Sequence, residues 1–467
     1  MISIGIIMNL WILTEERPKT KVLKQILSKF AVDKGFCAFI DTLRILPMLE
    51  NSKFSFSYEL IGFRCNKVNK IFIKTVSGHS SFVDFLVFFQ DKEPTIKDKP
   101  IYAIEETKTD DSESRNTGIY QRCSKFVFLY YYYPNVKMIM LYNLQIEQKE
   151  RPTKTNIFGT KMLLMFGVEI LGKQLDSDIF SPFCSIKELI DFKKQMHNAP
   201  KGNIPIILKQ RVDIIEISGK LIKGGGLSHD PNIGALSVIC AVLRKLGWKK
   251  DLVITKHGLE QKHLKGSNKF ISIANKLNIK LKGLNLPKAE LYQDYWHYDK
   301  NGEKLGTIFI HIVVESFTKG YSIFENHAGS EKGYFITAKG EHIPLAKYSD
   351  RVKYKAGNKD KIVRIPDLIL IDFGRSEIIN IEGKKYQFRK NGIEKLKSYD
   401  FIEKNYIKKY YPEFTIIRTV VLYGSKEKEI IEIEIGFLLN EYGDLILGIK
   451  APAIFKEAIK NLLDFWS

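Results

Sequence analysis

A chain of 467 residues with 44% hydrophobic content is long enough for two or three domains and apolar enough to bury real cores, which excludes a globally disordered protein. Its formal net charge of +20 favours a polyanionic partner, nucleic acid before an acidic membrane, and carries no information about fold. Cys37, Cys65, Cys123, Cys184 and Cys240 form no CxxC pair, so a zinc ribbon or dithiol redox motif is excluded, and scattered thiols suit a reducing cytoplasm.

In chain order, "MISIGIIMNLWIL" is apolar but too short to span a bilayer, and it lacks a basic leader and a small-residue cleavage site. It reads as a strand or short buried element. "TEERPKTKVLKQILSKF" reads as a helix capped at Thr14, with Val22, Leu23, Ile26, Leu27 and Phe30 on one face. Between Phe54 and Asn143 the pattern turns to short strand-like runs, "KIFIKTV", "FVDFLVFF", "IYAIEETK" and "VKMIMLYN", with a helical stretch around Ile119–Tyr132. The apolar "FVFLYYYYPNVKMIMLY" is interrupted by Pro134 and Lys137 and fails as a membrane span. A soluble cytoplasmic protein without membrane contact is expected.

The segment 196–295 has a different texture. After the loop "KGGGLSHDPNIG", a helix is expected with Asp230 as N-cap, Pro231 at its first position, and Ile233, Leu236, Ile239, Cys240, Leu243 and Leu246 at helical spacing. "NKFISIANKLNIKL" reads as a second helix. Strand-like runs return from Thr307: "TIFIHIVVESF", "GYFITAKGEHIPL", "VRIPDLILIDF" and "EIINIEGKKY". A long helix "RKNGIEKLKSYDFIEKNYIKKYYP" follows, then "FTIIRTVVLYG", "EIEIGFLLN", "DLILGIKAP" and a last helix "IFKEAIKNLLDF". The order hairpin, helix, strand repeats the layout of Asp84–Asn143.

The chemistry is concentrated on two hairpins. In "RIPDLILIDFGRSEIINIEGKKYQF", Glu382 and Lys384 are two apart on a strand and share a face. The turn at Gly374–Ser376 brings Asp367 beside them. Two carboxylates and an ammonium on a half-buried patch are unfavourable without a counter-ion. Oxygen donors from Asp367 and Glu382 suit Mg²⁺, whose chemistry is polarising a phosphoryl oxygen and acidifying a bound water. "FVDFLVFFQDKEPTIKDKPIYAIEETK" repeats the logic with Asp84, Glu106 and Lys108. Glu105 is expected on the opposite face, available only through a bulge, and Asp110, Asp111 and Glu113 in a solvated loop. "EQK" at 260–262 and "DFK" at 191–193 are decoys on expected helices.

Pro366-Asp367…Glu382-Gly383-Lys384, and less closely Asp84…Glu106-Thr107-Lys108, resemble the PD-(D/E)xK nuclease superfamily and, within it, the type II restriction endonucleases. Pro is missing before Asp84. The resemblance covers the two outer thirds of the chain. It implies an α/β protein of two restriction-endonuclease-like domains, each a mixed central sheet flanked by helices, joined by a mostly helical middle region. The expected boundaries are 1–195, 196–295 and 296–467. It also implies Mg²⁺-dependent cleavage of double-stranded DNA, with Asp84, Glu106 and Lys108 as one centre and Asp367, Glu382 and Lys384 as the other. Asp84, Glu106, Asp367 and Glu382 would be the metal ligands. Glu59 and Glu315 are candidates for an accessory acid from a preceding helix, and Gln121 and Gln387 for downstream phosphate contacts.

Two unlike centres in one chain suit an asymmetric site, one centre per strand, as in some type IIS enzymes, and this chain is expected to act on DNA as a monomer or homodimer. The alternative is one active centre beside a domain that only reads DNA. His229 and Asn232, before and at the start of the middle helix, are candidate DNA contacts, since helix N-termini favour phosphate. There is no Asn-Pro-Pro-aromatic box and no Walker-type loop, which disfavours a methyltransferase and a nucleotide cofactor. A non-catalytic DNA-binding protein and a junction or repair nuclease of the same superfamily are the competing readings.

Overall fold

The computed structural model describes residues 7–79, 82–107, 118–142, 153–173, 175–196, 205–223, 226–227, 231–264, 269–289, 294–300, 302–325, 334–337, 339–344, 364–425 and 436–467. These form a mixed α/β protein whose sheets are flanked by helices. The chain divides into two compact units interleaved in sequence. The first comprises Met1–Ser77, Phe89–Glu93 and His297–Ser467, and the second Gly78–Phe88 and Pro94–Trp296. These two interleaved units differ from the expected division into three consecutive segments. The segment before Ser77 joins the C-terminal third, and the middle segment shares a unit with the Asp84 hairpin.

The first unit opens with β1 (Met8–Thr14), α1 (Thr20–Lys34), β2 (Ala38–Glu50), β3 (Lys53–Cys65) and β4 (Val68–Gly78), in the sheet order β2-β3-β4-β1 with β1 parallel to β4. α1 buries Val22, Leu23, Ile26, Leu27 and Phe30, the expected stripe. Its start is five residues later than expected. Thr14 ends β1, and its hydroxyl accepts the N–H of Glu16 rather than capping a helix. Pro18 biases Arg17 away from helical angles, so the helix begins beyond it.

The second unit contains the same order of elements twice. β5 (Phe85–Gln90) and β6 (Tyr102–Thr107) form an antiparallel hairpin. α2 (Gly118–Tyr132) crosses to β7 (Lys137–Tyr142), parallel to β6, and α3 (Lys154–Met165) to β8 (Glu169–Leu171), parallel to β7. Then β9 (Ile207–Gln210) and β10 (Ile214–Ser218) form a second hairpin. α4 (Pro231–Lys245) leads to β11 (Asp251–Thr255), parallel to β10, and α5 (Lys269–Lys276) to β12 (Ile279–Leu281), parallel to β11. α4 begins at Pro231 as expected and packs against α2. The middle segment is therefore not mostly helical: it carries a four-stranded sheet of order β12-β11-β10-β9. The single helix expected over 268–281 stops at Lys276, because Asn278 takes a left-handed φ of 49° and the chain leaves as a strand.

Back in the first unit, α6 (Lys304–Phe317) precedes β13 (Tyr321–Glu325), β14 (Leu368–Asp372) and β15 (Glu377–Lys385). The strand expected at 307–317 is thus a helix, a short apolar run whose period does not distinguish the two. Leu305 to Val314 are all buried, and a helix apolar on every side must be covered on every side. α6 lies between the sheet and the last helix, α8 below. A helical stretch begins with α7 (Arg389–Leu396) and continues, through a π turn at Glu403–Ile407, to Tyr410. β16 (Thr415–Tyr423) follows, then β17 (Phe437–Leu439), β18 (Leu445–Leu447) and α8 (Ala453–Trp466). The sheet order is β13-β14-β15-β16-β17-β18. It is antiparallel from β13 to β15 and parallel from β15 to β17. β14 is buried at all five positions, as a strand covered on both faces must be. Hairpin, crossing helix and parallel strand thus occur three times. No helix among the described residues is long and apolar enough to cross a membrane.

Candidate active site

The hairpin β14–β15 builds the first cluster. Leu368 pairs with Ile381, so Asp367 and Glu382 stand opposite one another, and opposed residues of an antiparallel pair share a face. Asp367 Oδ2 accepts the N–H of Gly383 at 2.9 Å, and its own N–H donates to Ile381 O at 3.0 Å. Glu382 is fully buried. Lys384 Nζ lies 2.8 Å from Glu382 Oε1 and donates to Gly383 O at 2.9 Å. The expected trio is therefore brought together.

Two partners absent from the sequence reading complete it. Lys395 on α7 donates to Glu382 Oε1 at 2.6 Å, and the Tyr399 hydroxyl, one turn further on, donates to Glu382 Oε2. Burial, then the charge of Glu382, pushes Asp367 up to about 6. Burial pulls Lys384 down, but its bond to Glu382 and the two carboxylate charges outweigh that and leave it above its ordinary value. Gly383 is required by space: a Cβ there would stand 2.6 Å from Thr307 Cγ2 on α6.

The hairpin β5–β6 repeats the arrangement with a shifted assignment. Phe85 pairs with Ile104, which sets Asp84 opposite Glu105, not Glu106. Asp84 Oδ2 accepts the N–H of Glu106 at 2.6 Å, as Asp367 accepts that of Gly383. Glu105 is buried, and burial, then the charge of Asp84, pushes it up to about 7. Lys125 on α2 lies 2.8 Å from both Glu105 oxygens, and Arg122 Nε lies 3.9 Å from one of them. Lys269, at the start of α5, faces Glu105 and Lys125. Burial, then the charge of Lys125, pulls it down to about 8.

Glu105 thus replaces Glu106 in this cluster, because strand alternation turns a side chain one residue along to the other face. No bulge is needed. The position of Lys384 is filled by Thr107, which is buried. Lys108 lies outside the described residues. The third hairpin, β9–β10, has no acid at these places. Leu208 pairs with Ile217, which puts Ile207 and Ser218 where the carboxylates would be, followed by Gly219 and Lys220. The Ser218 hydroxyl donates to Pro205 O at 2.6 Å.

The accessory candidates go elsewhere. Glu315 is bound to Arg17, to His311 at 3.1 Å and to the N–H and hydroxyl of Ser322, each at 3.0 Å, near the far end of α6 from Gly383. The acid at the near end is Glu303, whose carboxylate lies 4.0 Å from Lys384 Nζ. Glu59 pairs with Lys70 on β3–β4, in the first unit, whereas Asp84 is in the second. Gln387 is exposed on the turn after β15. Gln121 is on α2 and Asn232 on α4, both with side chains outside the described set, which also excludes His229.

Among the described residues no three acidic, histidine or cysteine side chains converge as a metal cage. The β14–β15 and β5–β6 hairpins each offer instead two carboxylates whose mutual repulsion is held in check by lysines. That donor set fits Mg²⁺, which takes one or two carboxylates and keeps several waters. Asp367 and Glu382 would hold it in one cluster, Asp84 and Glu105 in the other. Comparison with family models, curated proteins and solved structures returns no match.

Proposed function

We propose that the chain is a Mg²⁺-dependent DNA endonuclease with one centre on each of two hairpins, cutting the two strands of a duplex at a recognised sequence. The observation that carries this reading is the recurrence of one constellation at two separate places. In each, an Asp at the mouth of an antiparallel hairpin accepts the N–H of the residue after a buried Glu directly opposite, and the next helix returns a lysine to that Glu. A structural ion pair has no reason to be repeated in such detail. The net charge of +20 supports a phosphate-rich substrate.

When bound, Mg²⁺ supplies a Lewis acid for a phosphoryl oxygen and lowers the pKa of a bound water. The protein's own groups do the rest. Lys384, pinned between Glu382 and Gly383 O, presents an ammonium beside the carboxylate pair, where it orients the attacking water and balances charge growing on the phosphate. Lys395 and Tyr399 each donate to one oxygen of Glu382 and so hold its carboxylate in place. Gly383 donates to Asp367 and fixes the second acid.

The test is a supercoiled plasmid with Mg²⁺, cut by wild type, Asp84→Ala, Asp367→Ala and the double variant. Each single variant should nick and the double variant should do neither. Wild-type protein that binds several unrelated DNAs but leaves them intact in Mg²⁺ and Mn²⁺ sinks the reading in favour of a non-catalytic DNA-binding protein. A second reading, one active centre beside a recognition module, is favoured by Thr107 standing where the other centre has Lys384. It predicts that Asp84→Ala cuts like wild type.

A further inference from the structure

The two centres differ in where their lysines come from. At Glu382 there are two ammonium groups, strand residue Lys384 at 2.8 Å and helix residue Lys395 at 2.6 Å. At Glu105 the strand position is Thr107, and among the described residues the lysine in contact with the carboxylate is Lys125. It comes from α2, the helix that follows the hairpin, as Lys395 comes from α7. Lys125 contacts both oxygens of Glu105 at 2.8 Å, whereas each lysine of the other centre is bound to Glu382 through Oε1. Its side chain keeps 22% of its exposure, beside 19% for Lys384.

We infer that Lys125 is the catalytic lysine of the Asp84–Glu105 centre, taking from a helix the role that Lys384 fills from a strand. This rests on the endonuclease reading above. The chemistry does not require the ammonium to come from the strand. It requires a positive charge beside the carboxylate pair and facing the phosphate, and a helix packed over the hairpin delivers one as well. The consequence is an asymmetry. The Glu382 centre has a helix lysine and a strand lysine, so losing Lys395 leaves Lys384 in place. The Glu105 centre has Thr107 at the strand position, so losing Lys125 removes the ammonium bonded to Glu105 and leaves Arg122 and Lys269 as the cations beside it among the described residues.

The experiment follows supercoiled, nicked and linear plasmid with time for wild type, Lys125→Met, Lys125→Arg and Lys395→Met, with Asp84→Ala as the benchmark. Lys125→Met should behave like Asp84→Ala, with the nicked-to-linear step slowed by about 100-fold, the usual cost of losing one charge-stabilising group. Lys395→Met should slow that step far less. Lys125→Arg retains a cation for Glu105, which protects folding, but its guanidinium is not the compact ammonium a transferring phosphate needs, so it should fold, bind DNA and still stall at the nick. Adding Thr107→Lys to Lys125→Met restores a strand lysine and should recover linear product. Linearisation at the wild-type rate by Lys125→Met or Lys125→Arg, while Asp84→Ala stalls at the nick, overturns the assignment and leaves the endonuclease reading standing. Wild-type protein that cuts no DNA overturns both.

Discussion

Two buried acids show how side-chain context sets what a carboxylate does. Glu382 receives Lys384, Lys395 and Tyr399 around a fully buried group. Removing the phenolic donor in Tyr399→Phe leaves one carboxylate oxygen short of a partner. A loss of about 1–2 kcal/mol in urea unfolding is expected. Plasmid should accumulate as the nicked form, because Asp84 and Glu105 are untouched. Unchanged linearisation would make Tyr399 a purely structural partner. Glu315 is the contrasting case. Burial pushes it up, but the charges of His311 and Arg17 and the bonds from His311 and Ser322 outweigh that and bring it down to about 2 from an ordinary 4.5. A carboxylate depressed on folding contributes stability in full above its unfolded pKa and loses it as pH falls toward the folded one. Glu315→Gln should therefore cost roughly 2–4 kcal/mol at pH 7, with the gap to wild type closing between about pH 4.5 and pH 2. Denaturant melts at pH 7, 4 and 3 measure it, and a gap that stays constant with pH refutes the ion-pair account.

The hairpins were legible as elements because each has a signal independent of its neighbours. Apolar alternation, a turn and a charge in an otherwise apolar run marked 364–388 and 82–107, and the Asp367–Glu382–Lys384 trio followed from period two together with the short turn at Gly374–Ser376. The assignment of Glu106 failed for the same reason that the trio succeeded. Period two fixes which residues share a face within one strand, but only the register across the hairpin says which face meets Asp84, and the long connection 91–101 hides that register. The helix lysines were out of reach, since Lys125 and Lys395 lie 20 and 13 residues from their glutamates with no fixed spacing. The β9–β10 hairpin gave no such signal because its strands are short and place Ile207 and Ser218, not acids, opposite one another. Gly383 is the element-scale test of how closely α6 is laid against β15. Gly383→Ala should cost about 1–3 kcal/mol through the clash with Thr307 Cγ2 and weaken cutting at this centre. Thr307→Ser deletes that methyl while keeping a hydroxyl to donate to Lys304 O, so the double variant should recover most of the stability. A double variant as unstable as Gly383→Ala would mean that the glycine is needed for backbone reasons instead.

For the whole molecule, the question is whether a charge of +20 is a substrate-binding device or a solvated surface. The two alternatives differ in salt dependence. A protein that neutralises phosphates releases condensed counterions, so the logarithm of its affinity falls linearly with the logarithm of salt concentration, by about 0.9 per phosphate contact. Six to ten contacts would cost about 10³–10⁵ in affinity between 50 and 200 mM salt. The variant to use is Asp84→Ala with Asp367→Ala, which should bind without cutting, so that binding is read on intact duplex. Both substitutions remove acids at the hairpin mouths and none of the 73 lysines and arginines, so the salt slope should be set by the basic surface. Mg²⁺ competes for phosphate as a counterion, and the titration is therefore run in EDTA. A steep slope on any duplex, with a further gain in affinity on one sequence, would assign the charge to phosphate contact and the extra gain to base recognition. A flat slope or an absence of binding would return the lysines to the solvent, and the two acid clusters would then need a different substrate.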